Sequence, residues 1–306
     1  MKYTNIYCIC YFITIVFIYY ILSEYDFRNF YIKEGFSEKR LSEYREDESK
    51  IKESPDKNTN TYCRFFEMII DEPSLFRDNV IQIKDKTFMD DTSRVLDAGC
   101  GTGRHIQILK EIIPTIMLEG VDVSRNMIKR SQIRNPGTDL LCTSLTTPEI
   151  YKPETLTHVL CLYETIHHNT PKDISTILQN FYKWLVPGGM CVFHLFHPDK
   201  LDPAPKSYSQ YYKGDDNSKR SFTQFEGFSH QAWWEKEKER MYWYRYCEKY
   251  VISKKKSITK TTNLWIPPTN KMISLIVKHK FILKEVVDLS NVGIPDFTMY
   301  IFEKGI

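Results

Sequence analysis

The sequence predicts an α/β fold: a mostly parallel sheet with helices on both faces, an aromatic-rich insertion, and an apolar N-terminal helix. Three observations predict it. Strand-like and helix-like segments alternate from Thr61 onward. A turn with three glycines leaves the first strand and enters a helix. An uncharged run near the N-terminus stands apart from both.

That run, Ile6 to Leu22, contains no charge, Gly or Pro. As a helix its 17 residues span about 26 Å, against the ~30 Å of a hydrocarbon layer. Residues 1–32 are therefore expected to be a membrane anchor, with 6–22 crossing. Only Lys2 precedes the run, whereas Arg28, Lys33, Lys39 and Arg40 follow it, so the body is expected in the cytosol. Residues 33–60 are rich in both signs of charge and poor in apolar side chains, which suits a solvated linker.

In the body, amphipathic helices are expected over 62–70 and 76–83. Strands follow at Arg94–Asp97, Ile116–Val121, Leu140–Cys142, Thr157–Leu162 and Met190–Phe196. Helices fill the gaps: 103–113 stopped by Pro114, one capped by Ser124, and one opened by Thr170-Pro171. The last of these buries Ile174, Ile177, Leu178, Phe181 and Leu185 on one face. Phe281–Leu289 and Phe297–Phe302 should form an antiparallel hairpin.

Composition narrows the function. With 42 Lys plus Arg against 39 Asp plus Glu, the net charge is +3, which excludes a chain built to seek polyanions; no nucleic-acid partner is expected. None of the eight cysteines forms a C-x-x-C pair, so neither a zinc ribbon nor a thioredoxin motif is present. The H-x-x-H of His194 and His197 lacks suitably spaced further ligands, so no metal is expected.

The decisive stretch is Val95-Leu96-Asp97-Ala98-Gly99-Cys100-Gly101-Thr102-Gly103-Arg104-His105. Its glycines allow positive φ and close approach of a ligand to the backbone. Asp97 ends the strand, where it can face an ammonium group. Asp122 ends the next strand, 23 residues beyond Gly99, placed to accept the hydroxyls of a ribose. A P-loop would need G-K-[ST], and the loop continues Gly103-Arg104-His105 instead. A dinucleotide loop wants a sixth-position glycine, and Arg104 stands there. S-adenosylmethionine (SAM), with an ammonium, a carboxylate, a ribose and no phosphate, suits these groups better.

With these residues the sequence resembles the class I SAM-dependent methyltransferases. VLDAGCGTGRH resembles their first motif, GVDVS the acidic second, THVLCLYETIHH the fourth-strand motif, and LVPGG the segment before strand five. The resemblance covers roughly Thr61 to Lys304 and implies a domain over 61–306, with a substrate lid at about 200–268 and seven strands of which the last is reversed. It implies that Asp97, Gly99, Gly101 and Gly103 hold the methionine part, and Asp122 the ribose. Met127 would lie against the adenine, with Cys100, Val123 and Leu162 completing the contacts. The acid that usually ends strand three is missing from Cys142-Thr143-Ser144-Leu145, so either Thr143 or Ser144 serves in its place or that contact is lost.

Such an enzyme mainly aligns a nucleophile with the sulfonium methyl and excludes water. A base is needed only for a nucleophile that arrives protonated. The candidates beyond strand four are His167 and His168, with Tyr163 and Glu164 nearer the strand end. Thirteen aromatics between Tyr208 and Tyr250 suit a lid, most of them building its own core. A long hairpin is expected around Lys254-Lys255-Lys256. The expected activity is methyl transfer to a small-molecule or lipid-like acceptor. The alternatives are a non-catalytic scaffold and an enzyme acting on protein.

Overall fold

Arg94–Ala98 (β1) is buried at every position, which an apolar strand covered on both faces requires. It belongs to a computed structural model that describes residues 63, 65–69, 73–203, 210–214, 218–292, 294 and 296–305. The expected crossing at 6–22 and the linker at 33–60 lie outside these residues. Among the described residues no helix is long and apolar enough to cross a membrane.

Pro73–Lys86 (α1) precedes β1 and buries Phe76, Val80 and Ile83 on one face. Then follow Arg104–Ile112 (α2), Met117–Asp122 (β2), Arg125–Arg134 (α3), Asp139–Cys142 (β3) and Leu156–Cys161 (β4). Ser124 caps α3 by accepting the Met127 N–H, and Thr170 caps Pro171–Trp184 (α4) by accepting the Asp173 N–H. Leu185–Phe196 (β5) completes the first half. Between Leu185 and Met190 it bulges out of register with β4, so Pro187-Gly188-Gly189 acts as the expected turn inside a longer strand.

Phe281–Asp288 (β11) and Phe297–Lys304 (β12) pair antiparallel, and β12 pairs antiparallel with β5. The sheet order is β11-β12-β5-β4-β1-β2-β3, with β1 to β5 parallel. This is the expected seven-stranded sheet with a reversed last strand. The chain direction across the sheet reverses between β1 and β4, and right-handed crossovers then place the two sets of helices on opposite faces. Ligands bind at such a switch point, beyond the carboxyl ends of the strands.

The insertion expected at about 200–268 holds more strands than the one hairpin placed in it. Gln210–Lys213 (β6), Lys219–Phe225 (β7), Phe228–Lys236 (β8), Trp243–Ser253 (β9) and Lys256–Trp265 (β10) form a second, antiparallel sheet in chain order. Phe228, His230 and Ala232 alternate inward on β8, whereas Trp233 lies under the Arg220 guanidinium at 4.5 Å. Trp243 likewise carries the Arg240 guanidinium at 4.0 Å. Phe225, Phe228 and Tyr250 thus pack within this sheet, whereas Trp234, Tyr244 and Tyr246 pack against the main core. Thr269–Lys278 (α5), beyond the expected helices, returns the chain to β11.

Candidate active site

The end of β1 holds Asp97, 1% exposed, with no hydrogen-bond partner on its Oδ2. Burial raises its pKa to about 7, and the negative charge of Asp122 adds to the rise. Burying a carboxylate unpaired is expensive, and a cationic ligand group removes the penalty.

The turn after β1 passes through φ of 82° at Gly99, 52° at Gly101 and 75° at Gly103. A Cβ at Gly99 would lie 2.3 Å from Thr165 Cγ2, so glycine lets the turn after β4 pack against the loop. A Cβ at Gly101 would meet nothing within 4 Å, which leaves open space on that side for a ligand. The thiol of Cys100 is buried, and burial pushes its pKa up.

Asp122 ends β2 with its carboxylate fixed by backbone. Its Oδ2 accepts the Gly101 N–H at 2.9 Å, and its Oδ1 accepts the Ser124 N–H at 2.7 Å. Each oxygen retains a lone pair for a hydroxyl donor. Val123 follows, 77% exposed, an apolar side chain standing in solvent beside the acid. Met127 is half-buried, and its sulfur lies 3.7 Å from the Cys63 thiol. The helix over 65–69 is tied to this corner: Glu67 accepts from Arg134, whose Nε–H donates to the Thr102 carbonyl at 3.1 Å.

Thr143 and Ser144 follow β3 with their hydroxyls facing Thr147 and Thr146. Both lie beside the Asp122 backbone, since the Thr143 N–H donates to the Asp122 carbonyl. Leu162 is buried where β4 ends. The residues expected around a SAM nucleoside therefore share one end of the sheet. Their chemistry fits that group: an orphan acid for an ammonium, a fixed acid for a ribose, and apolar Val123 beside it.

The expected bases separate. His167 is 1% exposed and fully engaged: its Nδ1–H donates to the Trp265 carbonyl at 2.9 Å, and its Nε2 accepts the Phe196 N–H at 3.1 Å. Burial lowers its pKa to about 4. The expectation of His167 as a base is corrected on this geometry, because its only lone pair already binds a backbone amide. His168 is exposed beside it. Desolvation by the surrounding protein lowers its pKa, against the opposing pull of Glu164 and Asp122. Tyr163 holds a positive φ of 49°, a conformation that costs a non-glycine residue about 1–3 kcal/mol and clusters at functional sites. Burial pushes its phenol up, out of the range of a neutral-pH base. His197 bonds Thr298 and Thr269 through its two nitrogens. Among the described residues no group of His, Cys, Asp or Glu is arranged to hold a metal ion.

Residues 95–189 match the family model described as a methyltransferase domain. That stretch is similar to a methyltransferase domain. Phosphoethanolamine N-methyltransferase 1 of Zea mays is 32% identical over 108 residues, 31% of this chain and 19% of that protein. Malonyl-[acyl-carrier protein] O-methyltransferase of Halalkalibacterium halodurans is 25% identical over 36% of this chain and 41% of its own length. The chain thus spans less than half of either relative. The SAM-bound structure of CalS10, an amino pentose methyltransferase from Micromonospora echinaspora, shares the fold at TM-score 0.58 and 16% identity. That match covers 75% of this chain and 91% of CalS10.

Sequence reasoning missed one feature near this site. Asn79 on α1, His105 on α2 and His194 on β5 are buried, with polar atoms that lack hydrogen-bond partners. Each such atom is expected to cost about 1–3 kcal/mol. Isolated in the sequence, none carries a motif signal; only the packing of three elements assembles them.

Proposed function

We propose that this chain transfers a methyl group from SAM, in line, to a small-molecule or lipid-like acceptor. The observation that carries the reading is the pair of acids at the strand ends: orphaned Asp97 beside the glycine turn, and Asp122 held by the Gly101 and Ser124 amides. SAM, when bound, supplies a methyl group already activated by its sulfonium. Asp97 receives its ammonium, Asp122 the ribose hydroxyls, and Val123 and Met127 flank the adenine. Gly101 lets the backbone approach. His168, neutral at pH 7 and exposed at the mouth, accepts the proton of an acceptor that arrives protonated. Small polar acceptors in the names of relatives, phosphoethanolamine and an amino pentose, support the small-molecule side.

Calorimetry with adenosylhomocysteine tests the cofactor site. Asp122→Ala should weaken binding about tenfold or more; an unchanged Kd would remove the ribose assignment. The two histidines make a second, separate prediction. His167→Ala should lower stability by about 2–4 kcal/mol in urea unfolding, because two buried backbone groups lose their partners. His168→Ala should leave stability nearly unchanged and slow transfer. Equal urea midpoints for the two variants would refute the structural role of His167.

We also propose that residues 6–22 anchor the enzyme in a membrane with its body in the cytosol. Protease protection of the body inside intact microsomes would overturn that orientation.

A further inference from the structure

Polar side chains that the reading above does not use gather around Tyr163. His105 stands two residues beyond Gly103, and Tyr163 two residues beyond the end of β4, so both adjoin the cofactor loop. The His105 and Tyr163 rings lie 5.4 Å apart, and the Tyr163 and His194 rings 5.3 Å apart. Asn79 reaches the same place from α1, close enough to the Tyr163 phenol to lower its pKa against the larger rise from burial, but no hydrogen bond of normal geometry joins them. Phe76 and Phe297 close the sides, with ring centroids 5.7 and 5.6 Å from Tyr163.

Five atoms of this cluster are buried without a hydrogen-bond partner: Asn79 Nδ2 and Oδ1, His105 Nε2, and both nitrogens of His194. Their balance is informative. Asn79 offers a donor and an acceptor, and a neutral imidazole at His194 offers one of each. A carboxylate guest, which only accepts, would leave Asn79 Oδ1 and one His194 nitrogen unpaired. An ammonium guest, which only donates, would leave Asn79 Nδ2 and the His194 N–H unpaired. A hydroxyl or carboxamide does both. Burial also holds the two histidines in the neutral form, at pKa values of about 4 and about 3.

We propose that Asn79, His105, Tyr163 and His194 form the inner wall of the acceptor subsite. The part of the acceptor received there is an uncharged group that both donates and accepts hydrogen bonds, a hydroxyl or a carboxamide. The inference rests on the methyltransferase reading.

The test incubates the full chain with methyl-labelled SAM and a small-molecule extract, and identifies the labelled products. A hydroxyl or carboxamide beside the methylated atom is expected. Asn79→Leu and His194→Phe should each lower kcat/KM for the identified acceptor about tenfold or more, through KM. Their Kd for adenosylhomocysteine should stay within about twofold of wild type. His194→Asn, which keeps a donor and an acceptor, should recover most of the loss and stands in if the Phe variant does not fold. Unchanged acceptor kinetics in variants that bind adenosylhomocysteine normally would overturn the assignment. So would labelled products without such a group, or no labelled product from wild type that binds adenosylhomocysteine. Absence of that binding in wild type would instead sink the methyltransferase reading itself.

Discussion

Asp97→Asn is expected to weaken adenosylhomocysteine binding by about 100-fold and, at pH 8, to raise the Tm of the ligand-free protein. Both effects come from one buried carboxylate. Its pKa of about 7 in the fold lies above the ordinary value of 3.8. Between those values the fold holds a proton that the unfolded chain releases. The stability contributed by this group is therefore full below pH 3.8 and lost as pH rises through 7. At pH 8 the carboxylate is ionised, buried and unpaired, a penalty on the order of 2–4 kcal/mol that asparagine removes. A ligand ammonium reverses the balance by pairing with the ionised form. Wild-type affinity should then fall about tenfold between pH 8 and pH 6, while the Asn variant shows little such slope. Calorimetry across that range decides it: equal affinities and parallel pH profiles for wild type and variant would eliminate Asp97 as the ammonium partner.

Acidification from pH 7 toward pH 4 is expected to destabilise the ligand-free fold, because three buried histidines outweigh the opposing gain from Asp97. His105, His167 and His194 are buried, with pKa values lowered to about 4, about 4 and about 3 from the ordinary 6.5. Below pH 6.5 the unfolded chain takes up protons that the fold refuses. Stability from these groups is thus fully present above pH 6.5 and is lost progressively below it. Each contributes on the order of 2–4 kcal/mol, and the sum is not additive because His105 and His194 are neighbours. Urea unfolding at pH 7, 5.5 and 4.5 measures the slope. His194→Phe should make it shallower; a slope identical to wild type would mean that His194 protonates as readily in the fold as outside it.

The main sheet and the cofactor loop were legible in the sequence because local physics dictates them. Buried parallel strands leave short apolar runs, and the positive φ at Gly99, Gly101 and Gly103 demands glycine. Asp97 and Asp122 were legible because strand ends are fixed by those same runs. The second sheet was legible only as its β9–β10 hairpin. On β7 and β8 aromatics occupy both faces, so Trp233 under Arg220 and Trp234 beside Tyr246 at 4.7 Å blur the alternation. The role of His167 was hidden for another reason. Its partners lie 98 and 29 residues away, and both are backbone groups that carry no residue signature. The cluster around Tyr163 was hidden likewise, since its members come from α1, α2, the turn after β4 and β5.

The imidazole of His167 has a mechanical consequence. It rivets the last residue of β10 to the last residue of β5 through two backbone bonds in a dry interior. The antiparallel sheet cannot swing off the parallel one at that seam without stranding both groups, so no hinge operates there. Any opening that admits acceptor and releases product therefore has to form away from this seam, which stays shut.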